Sequence, residues 1–386
     1  MHPQQQGKAG NGNSASQKER KRIYYPVHFF RAVGRRIPSM IKKIEPVFAV
    51  KTKEGSIFMY IVTGGAGFIG SVMVWKLNQM GIDDVWIVDT LDSGDKWKNL
   101  VGLKYSEILG PDDFTHSLLE HDHLPDDTNA VIHLGACSAT TERDADYLLG
   151  NNYRFSRTLA ETALEQNVRI LVASSAATYG GGEFGYDDGV ENLDRLRPLN
   201  MYGYSKLMFD QWANRSGSLA KLASLRFFNV YGPNEYHKGD MASMMYKSFN
   251  KVMREGRLSL FKSHRPDFKD GEQMRDFVYV KDVVDAMWWL LENPQANGIF
   301  NMGTGVEETW NQVAAAVFAA VGKTPDIDYV EMPENIRNQY QYRTRADISR
   351  LRAAGYTGSF RLVAEGVKDY IVNHLLKDNP YINNNA

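Results

Sequence analysis

The chain has 386 residues, 45 basic and 46 acidic, with 43% hydrophobic and 24% charged residues and a formal net charge of −1. This globular composition leaves room for two or three domains and excludes disordered, fibrous and collagenous classes. A single cysteine, Cys137, excludes an intramolecular disulfide framework and a multi-cysteine zinc site, and the longest wholly apolar run, 313–321, is nine residues, far below the ~20 that a membrane-spanning helix needs.

Neither a membrane nor nucleic acid is expected as partner, and the cysteine usage fits a reducing, cytoplasmic compartment. The average charge hides two unlike segments. Residues 1–58 hold twelve Lys or Arg against three acids, giving +9, which leaves −10 for residues 59–386. The first seventeen residues have almost nothing apolar to bury and are predicted to be disordered. Over 18–53 basic and apolar residues mix, but Pro26, Pro38 and Pro46 break any continuous amphipathic helix. The stretch reads as a basic, non-catalytic extension. It fits a transit peptide only in part and lacks the apolar core of a secretory signal, and Met59 stands as an alternative start.

From Met59 onward, short β-branched runs alternate with helical periods, which predicts an α/β fold built on a doubly wound parallel sheet of Rossmann type. MYIVT (59–63) reads as a buried strand, followed by a glycine turn and a helix with Ile69, Met73, Leu77 and Met80 at helical spacing. Strands follow at VWIVD (85–89), AVIHLGA (130–136) and RILVASS (169–175), separated by helical stretches near 112–119 and 145–166. A helix near 203–215 and a strand SLRFFNVYG (224–232) extend the sheet. Beyond about Gly232 the alternation loosens, with a strand at 277–280 and helices near 281–292 and 307–321. The predicted organisation is a cofactor domain over 59–232, to which 275–303 returns, and a smaller α/β substrate domain over 233–386.

TGGAGFIG (63–70) sets Gly64, Gly67 and Gly70 between a strand and a helix, with Asp89 ending the next strand. That context is the dinucleotide-binding fingerprint: glycines allow the tight turn and close approach to a pyrophosphate, and the helix start offers unpaired N–H groups. Asp89 suits the free hydroxyls of an NAD ribose, whereas Lys96, seven residues on, suits the extra phosphate of NADP. The two residues leave the choice of cofactor open.

Tyr202 and Lys206 form a Y-x3-K pair on one helical face. An ammonium and an oxidised nicotinamide beside the phenol are expected to pull its pKa down, so that Tyr202 can take an alcohol proton. Ser175, ending the strand upstream, is placed to orient the reacting oxygen.

Together with these residues, the runs GACSATTE (135–142), NNY (151–153), ASSAATYGG (173–181), NMYGYSK (200–206), FFNVYGPNEYHKGDMAS (227–243), RDFVYVKDV (275–283) and LRAAGYTGSF (351–360) make the chain resemble a known group. It is similar to the extended short-chain dehydrogenase/reductases that act on nucleotide sugars, and within them to the epimerases of ADP-heptose. The resemblance implies that NADP takes a hydride from C6″ of ADP-D-glycero-D-manno-heptose and returns it to the opposite face, giving the L-glycero epimer used in the lipopolysaccharide core. It implies Tyr202 and Lys238 as the two acid/base groups. Burial, or a neighbouring cation such as His237, would lower the pKa of Lys238. It further implies a cofactor lining of Phe68, Ile69, Asp89, Thr90, Lys96, Leu134, Gly135, Ala136, Cys137, Ser138, Asn151, Lys206 and Val230. Substrate contacts would come from Ser175, Asn229, His237, Asp240, Lys247, Phe261, Arg275 and Tyr340, and the enzyme would be a homo-oligomer, a pentamer in this group.

The sequence departs from the group at Asp240, which replaces a small hydroxyl residue, at Lys247, which replaces a histidine, and in a longer 263–274 loop. The rival 4,6-dehydratase chemistry needs an Asp-Glu pair after Ser175, where Ala176 and Ala177 stand. A reductase or another nucleotide-sugar epimerase is the remaining alternative. His121, Asp122 and His123 read as surface residues rather than metal ligands. His133 reads as a hydrogen-bonded core histidine, and Met287, Trp288 and Trp289 as packing. Cys137 lacks a matched base for nucleophilic work.

Overall fold

The structure, a computed structural model, describes residues 58–337 and 340–384, and the predicted basic extension falls outside them apart from Phe58. Seven parallel strands form the main sheet: β1 (Met59–Thr63), β2 (Val85–Val88), β3 (Glu107–Leu109), β4 (Thr128–His133), β5 (Arg169–Ser175), β6 (Ala223–Phe227) and β7 (Gly298–Met302). Their order is β7-β6-β5-β4-β1-β2-β3. All five residues of β1 are buried, as expected of a strand covered on both faces by helices. One face packs Val62, Met73, Leu77 and Met287; the other packs Ile61, Val131, Ile170 and Phe209.

The chain order reverses between β1 and β4, and such a switch point opens a crevice beyond the carboxyl ends of the strands. The strand ends are in register there: Thr63 pairs with Val88 and His133, and Ser175 pairs with Phe227. Asp89, Leu134 and Ser175 therefore face one region. Helices α1 (Phe68–Gln79) and α2 (Met201–Arg215) bring their first turns to it.

Three expectations require correction. SLRFFNVYG is two strands, not one: β6 ends at Phe227, and Asn229–Tyr231 pairs instead with Phe277–Tyr279. The break lies at Phe228, which turns into the opposite core against Tyr179 and Tyr186. The helix expected over 145–166 is interrupted by a π-helical segment, Leu149–Arg154, the kind of irregularity often found at functional sites. Two main-sheet strands, β3 and β7, have no counterpart among the predicted strands. β3 is short and only partly buried, so it has no apolar run. Beyond Gly232, the pairs Leu258–Phe261 with Ile327–Val330 and Met274–Arg275 with Glu308–Thr309 flank helices Met244–Glu255 and Trp310–Ala320.

Candidate active site

The glycine turn after β1 is shaped by close approach. Gly64 sits at φ +68°, and a Cβ there would fall 2.8 Å from the backbone nitrogen of Gly135; a Cβ on Gly70 would fall 2.0 Å from the carbonyl oxygen of Gly64. Gly67 precedes α1 without any side-chain cap, so the first N–H groups of the helix stay available to an anion. Asp89 organises the adjoining rim. Its Oδ2 accepts from the Ala66 amide at 2.9 Å, and its Oδ1 accepts from the Thr90 amide at 2.7 Å and from Lys96 Nζ at 2.5 Å. Lys96 also donates to the Thr90 carbonyl at 3.0 Å. The two side chains that argue for different cofactors are thus joined in one ion pair.

A cavity of about 570 Å³ runs from this turn across the strand ends. It brings together Gly64, Gly67, Phe68, Ile69, Gly70, Asp89, Lys96, Leu134, Gly135, Ala136, Ser138 and Val230 with Ser175, Tyr202, Lys206, Asn229, His237 and Lys238. A smaller cavity of about 260 Å³ shares Gly64, Asp89 and Lys96 with it and takes in Thr90, Cys137 and Asn151. Asn152 was not singled out from the sequence. Fully buried in the π segment, it accepts from the Cys137 amide (2.9 Å) and donates to the Cys137 carbonyl (3.0 Å) and Ser205 Oγ (3.1 Å). It ties the turn after β4 to α2. The glycine cradle, the open helix start and the acid at the second strand end fit a nicotinamide dinucleotide.

Asn200 caps α2, its side chain accepting from the Gly203 amide at 2.8 Å. Gly203 lets the helix lie against the turn after β5, since a Cβ there would fall 2.6 Å from the Ala177 carbonyl oxygen. This contact sets Tyr202 beside Ser175, whose hydroxyl acts to lower the phenol's pKa. Lys206 is buried and donates to the Ala173 carbonyl at 2.8 Å. Burial lowers its pKa to about 8, against the opposing pull of Asp210. In the protein alone, burial raises the pKa of the Tyr202 phenol, and Ser175 offsets that only in part. The resting phenol is therefore protonated, and a bound cation is needed to make it a base.

Lys238 enters the cavity from the turn Tyr236–Met241, its Nζ 5.2 Å from the Phe68 ring centroid. Burial lowers its pKa, Glu235 acts to raise it, and Lys247 acts to lower it. His237 is not the neighbouring cation: burial, with Lys96 and Lys238 nearby, lowers its pKa to about 4, so at neutral pH it is uncharged. Its Nδ1 lies 3.2 Å from Asn99 Nδ2. The cation acting on Lys238 is Lys247.

Five of the residues assigned to substrate lie outside the lining of both cavities: Asp240, Lys247, Phe261, Arg275 and Tyr340. Asp240 is exposed and its carbonyl accepts from Lys247 Nζ at 2.5 Å. The guanidinium of Arg275 sits 5.1 Å from the Tyr340 ring, and Phe261 meets the same ring edge-on at 6.4 Å. Trp310, unremarked in the sequence, links this cluster to the cavity: it lines the wall, and its Nε1 donates to Tyr340 Oη at 2.8 Å. His133 is a core residue, as predicted, with Nδ1 2.6 Å from Thr63 Oγ1 and Nε2 2.8 Å from Ser156 Oγ. The rings of His121 and His123 lie 6.1 Å apart, and His123 Nδ1 lies 2.7 Å from the Leu124 carbonyl oxygen.

Residues 60–303 match the pattern of the NAD dependent epimerase/dehydratase family. The chain belongs to that family. An ADP-L-glycero-D-manno-heptose-6-epimerase from Nitratidesulfovibrio vulgaris is 54% identical over 324 residues, covering 84% of this chain and 100% of the relative. The crystal structure of the Helicobacter pylori ADP-L-glycero-D-manno-heptose-6-epimerase superposes with a TM-score of 0.68 at 27% identity, covering 83% of this chain and 97% of that one. The Thermus thermophilus UDP-glucose 4-epimerase, solved with NAD, superposes with a TM-score of 0.62 at 26% identity, covering 81% and 98%. The two residues that follow Ser175 at the strand end carry no acid/base group. They are Ala176 and Ala177, and the Ala177 amide donates to Ser175 Oγ at 3.1 Å. Neither methyl can move a proton.

Proposed function

We propose that this protein is an ADP-L-glycero-D-manno-heptose 6-epimerase, an isomerase that inverts C6″ of its nucleotide sugar. The observation that carries the reading is that Tyr202 and Lys238, two groups able to exchange protons, line one cavity with the glycine cradle. A nicotinamide cofactor bound there supplies a hydride acceptor that becomes the hydride donor in the second half of the cycle. The residues must then remove a hydroxyl proton at one face and return one at the other. Lys238, whose pKa burial lowers, is the group we assign as base. Tyr202, protonated at rest, can donate, and Ser175 orients the oxygen between them. Microscopic reversibility exchanges these roles for the opposite epimer.

The cofactor we assign is NADP. Lys96, set on Asp89 at 2.5 Å, offsets the carboxylate charge that would repel a 2′-phosphate. The substrate side comes from Asn229 and His237 at the cavity, with the Arg275–Tyr340 stack beside it. Among the described residues no helix is long and apolar enough to cross a membrane. We infer a cytoplasmic homo-oligomer, pentameric as the resemblance implies. Purified protein given ADP-D-glycero-D-manno-heptose should form the L-glycero epimer without releasing reduced cofactor. Formation of reduced cofactor in proportion to substrate would favour a reductase instead.

A further inference from the structure

The segment that carries His237 and Lys238 is closed by one buried side chain. Glu235 is 0% exposed. Its Oε1 accepts from the Gly232 amide at 3.2 Å and from Ser243 Oγ at 2.7 Å, and its Oε2 accepts from the Ser243 amide at 2.5 Å. The carboxylate therefore ties the two stems of the turn together with Lys238 between them.

Both stems are themselves fixed. Gly232 sits at φ +141°, with Val280 Cγ1 only 2.5 Å from where a Cβ would be. Ser243 caps the helix Met244–Glu255, its side chain accepting from the Tyr246 amide. The Lys238 amide donates to the Glu235 carbonyl at 3.0 Å, so the lysine hangs on Glu235 through the backbone as well. Asn234 braces the turn from behind, donating to Ser71 Oγ and accepting from the Ile382 amide, both at 3.0 Å. A buried carboxylate is costly unless donors surround it. This one has three protein donors, and an amide side chain would offer only one oxygen to them.

We infer that Glu235 is a positioning residue for the reaction: its carboxylate closes the Gly232–Ser243 turn and holds Lys238, in place and in charge balance, against the substrate. The inference rests on the reading of Lys238 as the second acid/base group. The charged and titratable groups facing Lys238 are Glu235 on its own turn and Lys247 on the following helix. His237 is next to it, with Lys96 and Asp89 beyond. Tyr236 and Tyr370 adjoin Glu235, with Tyr246 against Tyr236. Glu235 favours the ammonium form and Lys247 disfavours it, so removing the carboxylate charge moves Lys238 toward the free amine.

The test compares Glu235→Gln, Glu235→Asp and Lys238→Met in the full chain, by epimerisation rate against pH, KM for the nucleotide sugar, cofactor affinity and Tm. Glu235→Gln should lower kcat by about tenfold or more and shift the pH limb that Lys238→Met abolishes to lower pH, while cofactor affinity stays within about twofold. Glu235→Asp keeps the charge but is one methylene short of both stems. It should lower kcat and leave the limb in place, which keeps the inference testable if the Gln variant does not fold. If Lys238→Met turns over normally, the two-base reading falls. If Lys238→Met slows turnover and loses the limb while both Glu235 variants keep the wild-type kcat and limb, the positioning role is overturned. So too if their activity, cofactor affinity and Tm fall together with the limb unmoved.

Discussion

Lys96 Nζ lies 2.5 Å from Asp89 Oδ1, and the same carboxylate holds the Ala66 amide of the glycine turn at 2.9 Å. The acid that would select one cofactor is thereby engaged by the base that would select the other. Lys96→Ala should weaken NADP binding by about tenfold, the scale of one charge-assisted contact, and leave NAD binding much less affected. Dissociation constants for both cofactors with both proteins check this; an equal loss for the two would show that Lys96 only supports Asp89.

Gly64→Ala places a methyl 2.8 Å from the Gly135 amide nitrogen in a left-handed backbone. The strain and the overlap together should cost about 2 kcal/mol or more, seen as a lower Tm and as loss of cofactor binding.

His133 is buried between Thr63 and Ser156, and burial lowers its pKa from 6.5 to about 3. A histidine depressed in the folded state contributes stability that is present above its unfolded pKa and is lost as pH falls from there toward its folded pKa. Between pH 6.5 and 5 the loss should be about 2 kcal/mol. Urea unfolding across that interval should show the slope, and His133→Gln should remove most of it; a wild-type stability flat from pH 7 to 5 would contradict the assignment.

Tyr202→Phe keeps the ring and removes the proton carrier, so kcat should fall by about 10² to 10⁴ with little change in cofactor affinity. Because burial raises the phenol's pKa in the protein alone, direct titration of Tyr202 by absorbance should show a lower pKa once oxidised cofactor is added. No movement would contradict its role as a base.

The parts of the fold and site that were legible from sequence are those whose signal is local. β1 is a short run buried on both faces, and the glycine turn, Asp89 and the Tyr202–Lys206 pair lie at fixed spacings within single elements. What was illegible depends on partners far apart in the chain. Asn152 acts through Cys137 and Ser205, Trp310 through Tyr340, and β7 pairs with β6. Phe228 ends β6 only because a second core awaits it, which no periodicity in FFNVYG reveals. The charge state of His237 was illegible for a related reason: burial, joined by Lys96 and Lys238, keeps it neutral, and burial is a property of the assembled fold.

The most direct measurement is an NMR assay of the purified protein with ADP-D-glycero-D-manno-heptose in deuterated water, with absorbance at the reduced-nicotinamide band followed in parallel. Hydride that leaves and returns within one site predicts the L-glycero epimer, no deuterium at C6″ and no net accumulation of reduced cofactor. Failure to form the epimer, or its formation with solvent deuterium at C6″, would contradict the account.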